Sequence, residues 1–186
     1  MYEATAILRQ DHDAILKMLD ATEEVAGQLR NGKQVAPAIL SGLLEFFQLF
    51  ADRCHHGREE DLLFPLLESK GMARMGGPIG VLLQEHELGR DLIRQMKESG
   101  QSYAGGDTAA GARWAAAAMG YVPLLREHIS KENNILFMMA ERMLSEEEQR
   151  TLAAEFEKAE LEKMGAGTHE RLHQLMDTLR EEISHV

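Results

Sequence analysis

The chain carries one chemical pattern twice. Leu8-Arg9-Gln10-Asp11-His12-Asp13 returns 74 residues later as Leu82-Leu83-Gln84-Glu85-His86-Glu87. His55-His56-Gly57-Arg58-Glu59-Glu60-Asp61-Leu62-Leu63-Phe64 returns 73 residues later as His128-Ile129-Ser130-Lys131-Glu132-Asn133-Asn134-Ile135-Leu136-Phe137. Each copy has a single His on one segment and His-x-x-x-Glu on the next. A near-constant offset over two separated segments marks a duplicated unit, so the fold must pack the two units as equivalents.

The segments are helical by periodicity. Apolar residues recur at spacings of three and four from about Ala4 to Leu29, and Asn31-Gly32 then breaks the pattern. A second run goes from about Ala36 to Ser69, with Pro65 as a site for a kink, and ends at Lys70-Gly71. A third is expected from Pro78 to Glu98, stopping at Ser99-Gly100. The fourth follows Gly105-Gly106-Asp107 and reaches Met143, with Pro123 as an expected bend. Short Gly-containing loops force consecutive helices side by side. The expected fold is all-α: an antiparallel four-helix bundle, up-down-up-down, over residues 1–143. Residues 144–186 add two C-terminal helices packed on or beside it. The first opens at a capping box, Ser145 with Glu148, and Gly165-Ala166-Gly167-Thr168 separates it from the last.

Composition narrows the function. At 186 residues the chain suits one bundle with a modest extension. Its net charge of −11 repels phosphate backbones and anionic lipid, so nucleic acid and membrane are excluded as partners. No run of 18 apolar residues occurs and the first residues carry no basic-then-apolar leader, so a cytoplasmic location is expected. Cys54 is the only cysteine, which rules out an intrachain disulfide or a Cys-rich zinc site; it reads as a small buried hydrophobe.

The repeat also selects residues. Only the frame that superposes Leu63-Phe64 on Leu136-Phe137 pairs His55 with His128 and Glu59 with Glu132. His56 and Glu60 then fall beside that register, either outside the bundle or in support of the ligands. Positions i and i+4 share one helix face, so each His-x-x-x-Glu pair can face one cluster. Folded as a bundle with pseudo-two-fold symmetry, His12, His55, Glu59, His86, His128 and Glu132 converge at the midline. A buried carboxylate there requires a charge partner or a metal. Two cations supply it, with both Glu residues bridging, two His on each ion, an oxo or hydroxo bridge, and one open position for a small molecule. Such ligation favours two non-haem iron ions, with manganese the other metal it admits, over closed tetrahedral zinc. The Glu-x-x-His spacing of ferritin-like sites occurs only as Glu170 with His173 and Glu182 with His185, both on the last helix.

Other residues have plain readings beside sharp ones. Tyr121 suits the core, or else faces the cluster. Gly89 lies one turn after His86 where the first copy has Ile15, so the missing side chain can open a ligand pocket. His169 and His173, at i and i+4, form a candidate second metal site or a solvated helix face.

Together, His12, the run from Cys54 to Pro65, His86 and His128-Ile129-Ser130-Lys131-Glu132 resemble the hemerythrin-like, or HHE cation-binding, domain over roughly residues 4 to 143. The resemblance implies a four-helix bundle with an oxo-bridged di-iron centre that binds or reacts with dioxygen, nitric oxide or peroxide. Oxygen-carrying hemerythrins have a further His where this chain has Arg90, which points away from simple oxygen carriage. The four-His, two-Glu set is closer to the iron–sulfur-centre repair proteins of the same superfamily, which carry an extra N-terminal Cys-containing domain. The leading expectation is therefore a di-iron protein acting on a small diatomic ligand or peroxide in oxidative or nitrosative stress. The alternatives are an iron-handling or iron-sensing protein acting through a partner, and a metal-free interaction bundle. The oligomeric state is left open, a homo-oligomer included.

Overall fold

A computed structural model of the protein describes residues 3–165 and 167–184, and the side chain of His169 lies outside that description. Among the described residues all regular structure is helical. The helices are α1 (Glu3–Arg30), α2 (residues 37–69), α3 (Pro78–Ala104), α4 (residues 110–143), α5 (Glu146–Met164) and α6 (Thr168–Ser184). Helices α1 to α4 close a ring in which each packs on two neighbours, while α5 and α6 lie against α1 and α2.

The duplication extends to the helix ends. After α1, Lys33 N–H bonds the Gln28 carbonyl and Gly32 N–H the Leu29 carbonyl; after α3, Asp107 N–H bonds the Ser102 carbonyl and Gly106 N–H the Tyr103 carbonyl. Both are glycine-dependent C-terminal motifs, with φ of 74° at Gly32 and 99° at Gly106, conformations that exact a steric cost from any Cβ. The predicted capping box of α5 forms: Glu148 N–H donates to Ser145 Oγ at 3.2 Å, and Ser145 N–H to Glu148 Oε2 at 2.9 Å.

Two expectations are corrected. Helix α3 continues through Ser99-Gly100 to Ala104, with the Ser99 hydroxyl turned back onto the Gln95 carbonyl at 2.6 Å and Gly100 beside Trp114, whose ring a Cβ there would meet at 3.5 Å. Tertiary packing here outweighs the weak helix preference of Ser-Gly. Pro65 is not the main irregularity of α2. Residues Phe47–His56 and Glu59–Leu63 are π-helical, and so are Glu132–Leu136 of α4. Phe64 N–H bonds the Glu59 carbonyl and Phe137 N–H the Glu132 carbonyl, five residues back in each copy. The second copy has Met138 where the first has Pro65, so proline does not cause the wide turn. It belongs to the Glu-bearing repeat, in keeping with the occurrence of π turns at functional sites. Pro123 sits inside the regular helix Ala110–Lys131.

The core is split in two. One apolar cluster gathers Ile15, Met18, Phe46, Phe47, Phe50 and Trp114, and α6 joins it through Leu172, Met176, Leu179 and Ile183. The other gathers Leu8, Leu63, Phe64, Leu136 and Phe137, and α5 joins it through Leu152 and Phe156. Burying side chains of this size stabilises by about 1.5–3 kcal/mol each. Between the two clusters in sequence, on all four bundle helices, lies a buried polar layer.

Candidate metal centre

The layer contains the six residues singled out by the repeat: His12, His55, Glu59, His86, His128 and Glu132, none more than 1% exposed. Their ligand-capable atoms fall into two groups, His12, His55, Glu59 and Glu132, and Glu59, His86, His128 and Glu132, each within 4.8 Å. The carboxylates are common to both. Glu132 Oε2 lies 3.1 Å from His12 Nε2 and its Oε1 3.1 Å from His128 Nε2. Glu59 Oε2 lies 3.8 Å from His55 Nε2 and 3.6 Å from His86 Nε2.

The outward ring nitrogens are held. His55 Nδ1 is 3.2 Å from Asp11 Oδ2, and His128 Nδ1 is 2.9 Å from Glu85 Oε2. His12 Nδ1 is 2.9 Å from Asn133 Oδ1, and His86 Nδ1 is 2.6 Å from Glu60 Oε1. Four oxygen acceptors fix Nδ1 as the protonated position, which leaves the Nε2 lone pairs facing inward. Cations back the acceptors in turn. Arg58 donates to Asp11, Lys131 to Glu85 and Arg90 to Glu60. Each Phe of the duplicated Leu-Phe pair stacks on the His of the other copy: Phe137 on His12, with centroids 5.4 Å apart, and Phe64 on His86, 6.0 Å apart.

Asp11 with Glu85, Glu60 with Asn133, and Arg58 with Lys131 follow the same 73- or 74-residue offsets as the histidines. Of these, the sequence reading singled out only Glu60. The signal for the rest stood in the aligned segments, next to the histidines and glutamates already chosen.

The inward-facing atoms need positive charge between them. His12 and His55 bring Nε2 atoms within 2.9 Å of each other, and His86 and His128 within 3.1 Å. All four carboxylate oxygens of Glu59 and Glu132 are buried and accept no hydrogen bond. Burial and the charge of Glu132 push the Glu59 carboxyl well above its usual range. Burial would raise Glu132 too, but the His128 and His12 imidazoles hold it well below. Burial lowers His55 to about 4 against the pull of Asp11. At His128 burial is outweighed by Glu132 and Glu85, and the pKa rises to about 9. Buried carboxylates and imidazoles of opposed tendency relax together when two cations share them, so this donor set fits a pair of ions.

The remaining candidates are placed as follows. His56 lies inside the bundle, 4% exposed, and stacks on His86 with centroids 3.9 Å apart. Arg90 joins Asp52 to Glu60, at 2.8 and 2.7 Å. Tyr121 packs edge-on against Phe47. A cavity of about 230 Å³ is lined by His56, His86, Gly89, Arg90 and Tyr121 among others. A Cβ at Gly89 would stand 3.5 Å from Tyr121, whereas Ile15 at the equivalent place is 1% exposed in the core. Burial pushes the Cys54 thiol up to about 12, which keeps it protonated and unreactive. His173 packs its ring edge-on against Phe50, and no potential metal group among the described residues includes it. The other half of that candidate site, the His169 side chain, lies outside the described residues. None of the described helices is long and apolar enough to cross a membrane.

The chain is 34% identical over 137 residues to "Iron-sulfur cluster repair protein YtfE" of Edwardsiella ictaluri (strain 93-146), covering 70% of this chain and 60% of that protein. It is 31% identical over 109 residues to the protein of the same name from Escherichia coli O81 (strain ED1a), covering 56% and 49%. The chain thus spans about half to three-fifths of the length of these relatives. No solved structure gives a significant match. The profile of the Hemerythrin HHE cation binding domain matches residues 3–140, which takes in all six midline residues, and the chain belongs to that family.

Proposed function

We propose that this protein holds two iron ions, one with His12 and His55 and the other with His86 and His128, bridged by Glu59 and Glu132. The reading rests above all on the sharing of both carboxylates between two four-residue groups. The ions supply redox chemistry and coordination sites for a small molecule. The protein's own residues do the rest. Asp11, Glu60, Glu85 and Asn133 orient the imidazoles, and the flanking apolar clusters exclude water. The cavity beside Gly89 gives a diatomic molecule or peroxide a way to the His86 and His128 side. On this reading the protein binds or reduces dioxygen, nitric oxide or peroxide, in oxidative or nitrosative stress. The iron–sulfur repair named for its relatives is a compatible setting.

A second reading, iron sensing through a partner, is favoured by one observation. Arg58 donates both to Asp11, which holds His55, and to Glu160 of α5, so the centre is linked to the first of the C-terminal helices. Stopped-flow mixing of the reduced, iron-loaded protein with dioxygen, nitric oxide and peroxide separates the two. A spectral change within seconds is expected with at least one of them; inertness toward all three would favour sensing.

A further inference from the structure

Two successive residues of α2 depart from their copies in α4, and both lie under α5. Gly57 stands where α4 has Ser130, and Arg58 where it has Lys131. A Cβ at Gly57 would stand 3.3 Å from Lys163 Nζ of α5, so the bare turn lets α5 run close over it, and Lys163 goes on to pair with Asp61. Arg58 is buried, 4% exposed. One of its amino groups donates to Asp11 Oδ2 at 2.8 Å and the other to Glu160 of α5, while its guanidinium carbon sits 5.8 Å from the centre of the Phe156 ring. The same Asp11 oxygen is the one 3.2 Å from His55 Nδ1. A chain of contacts therefore runs from Glu160 through Arg58 and Asp11 to His55. The other copy has no such extension. Lys131 donates to Glu85, which holds His128, but its further partner is Glu127 on its own helix, and its side chain is 32% exposed. A guanidinium offers its donors in a rigid planar fork and can hold two carboxylates in fixed positions, whereas an ammonium on a flexible stem is a point charge that fixes neither.

We infer that Arg58 and Glu160 are positioning residues for the ion held by His12 and His55, with α5 strapping the Asp11–His55 pair in place from outside the bundle. The inference rests on the di-iron reading above. The strap ties the attitude of one imidazole to the seating of α5, so a shift of that helix is felt at one ion and not at the other.

The test compares the iron-loaded wild type with Glu160→Gln, which removes the charge at the far end of the chain, and with Arg58→Lys, which gives this half the residue of the other. Iron content comes first, then Mössbauer spectra of protein loaded with iron-57, then the rate of iron loss to excess EDTA. Asp11→Asn marks the quadrupole doublet of the His55 ion, and Glu85→Gln that of the His128 ion. Both test variants should keep two irons, move only the doublet that Asp11→Asn moves, and lose one iron roughly tenfold faster, the smallest effect usual for a support of a metal ligand. A merely structural loosening of α5 would leave both doublets in place. Two irons with unchanged doublets and unchanged release in both variants would overturn the strap while leaving the di-iron reading intact, and so would movement of the doublet marked by Glu85→Gln. Failure of the wild type to load two irons would remove both.

Discussion

Glu132→Ala is expected to lose both irons. Its two carboxylate oxygens face opposite halves of the site, 3.1 Å from His12 Nε2 and 3.1 Å from His128 Nε2, so neither ion keeps its full ligand set without it. Glu59→Ala should behave alike, since both its oxygens are buried without a hydrogen bond between the same four imidazoles. Losing a group that merely orients a ligand typically costs about 10–100-fold in metal affinity, and the loss here should exceed that. Glu60→Ala supplies the comparison. Glu60 belongs to neither four-residue group and accepts from His86 Nδ1 and from Arg90, so the variant should retain two irons under stoichiometric loading, with weaker binding on one side. Iron content after desalting, with the absorption spectrum, distinguishes the variants. Full loading of Glu132→Ala would mean that the carboxylate does not bridge, and emptying of Glu60→Ala alone would mean that the register taken from the repeat is wrong.

The second large effect concerns access. Gly89→Leu puts a branched side chain into the cavity of about 230 Å³ that reaches His56 and His86. The first atom of that side chain meets only Tyr121, at an ordinary contact distance of 3.5 Å, so the bundle accommodates it. Replacing an interior helical glycine also adds up to about 1 kcal/mol of helix propensity. Iron content and resting spectrum should therefore stay as they are. Nitric oxide and azide should bind at least tenfold more slowly, which corresponds to about 1.4 kcal/mol on the barrier. Unchanged rapid-mixing rates in the loaded variant would place the entry route elsewhere.

Much of this was legible in the sequence for one physical reason. A duplicated pattern fixes both spacing and pairing, and pairing is what a single periodic stretch lacks. The offsets of 73 and 74 residues choose His55 over His56 and Glu59 over Glu60 as the pair for His128 and Glu132. In the fold, Glu59 and Glu132 occur in both four-residue groups and His55 in one of them, while His56 groups with His86 and His128. The helix signals at Asn31-Gly32 and Ser145-Glu148 could be read because they depend on local hydrogen bonds. Ser99-Gly100 misled because Trp114, distant in sequence, lies beside Gly100 and supports by tertiary packing a helix there that propensity disfavours. His56 stayed ambiguous because a period of 3.6 residues cannot foresee the π-helical run Phe47–His56, which turns neighbouring residues toward the same interior. The acceptors Asp11, Glu85 and Asn133 were within reach. They repeat with the histidines they hold, but surface-type residues beside a ligand look like solvated helix face until the ring nitrogens are seen to touch them.

The central claim is that two irons share Glu59 and Glu132 between two pairs of histidines. An anomalous difference map measured above the iron absorption edge, from crystals of the iron-loaded protein, tests it most directly. The account predicts two iron peaks, one against His12 and His55 and the other against His86 and His128, with both carboxylates between them. A single peak, or iron bound beside His173 with the midline histidines bare, would contradict it.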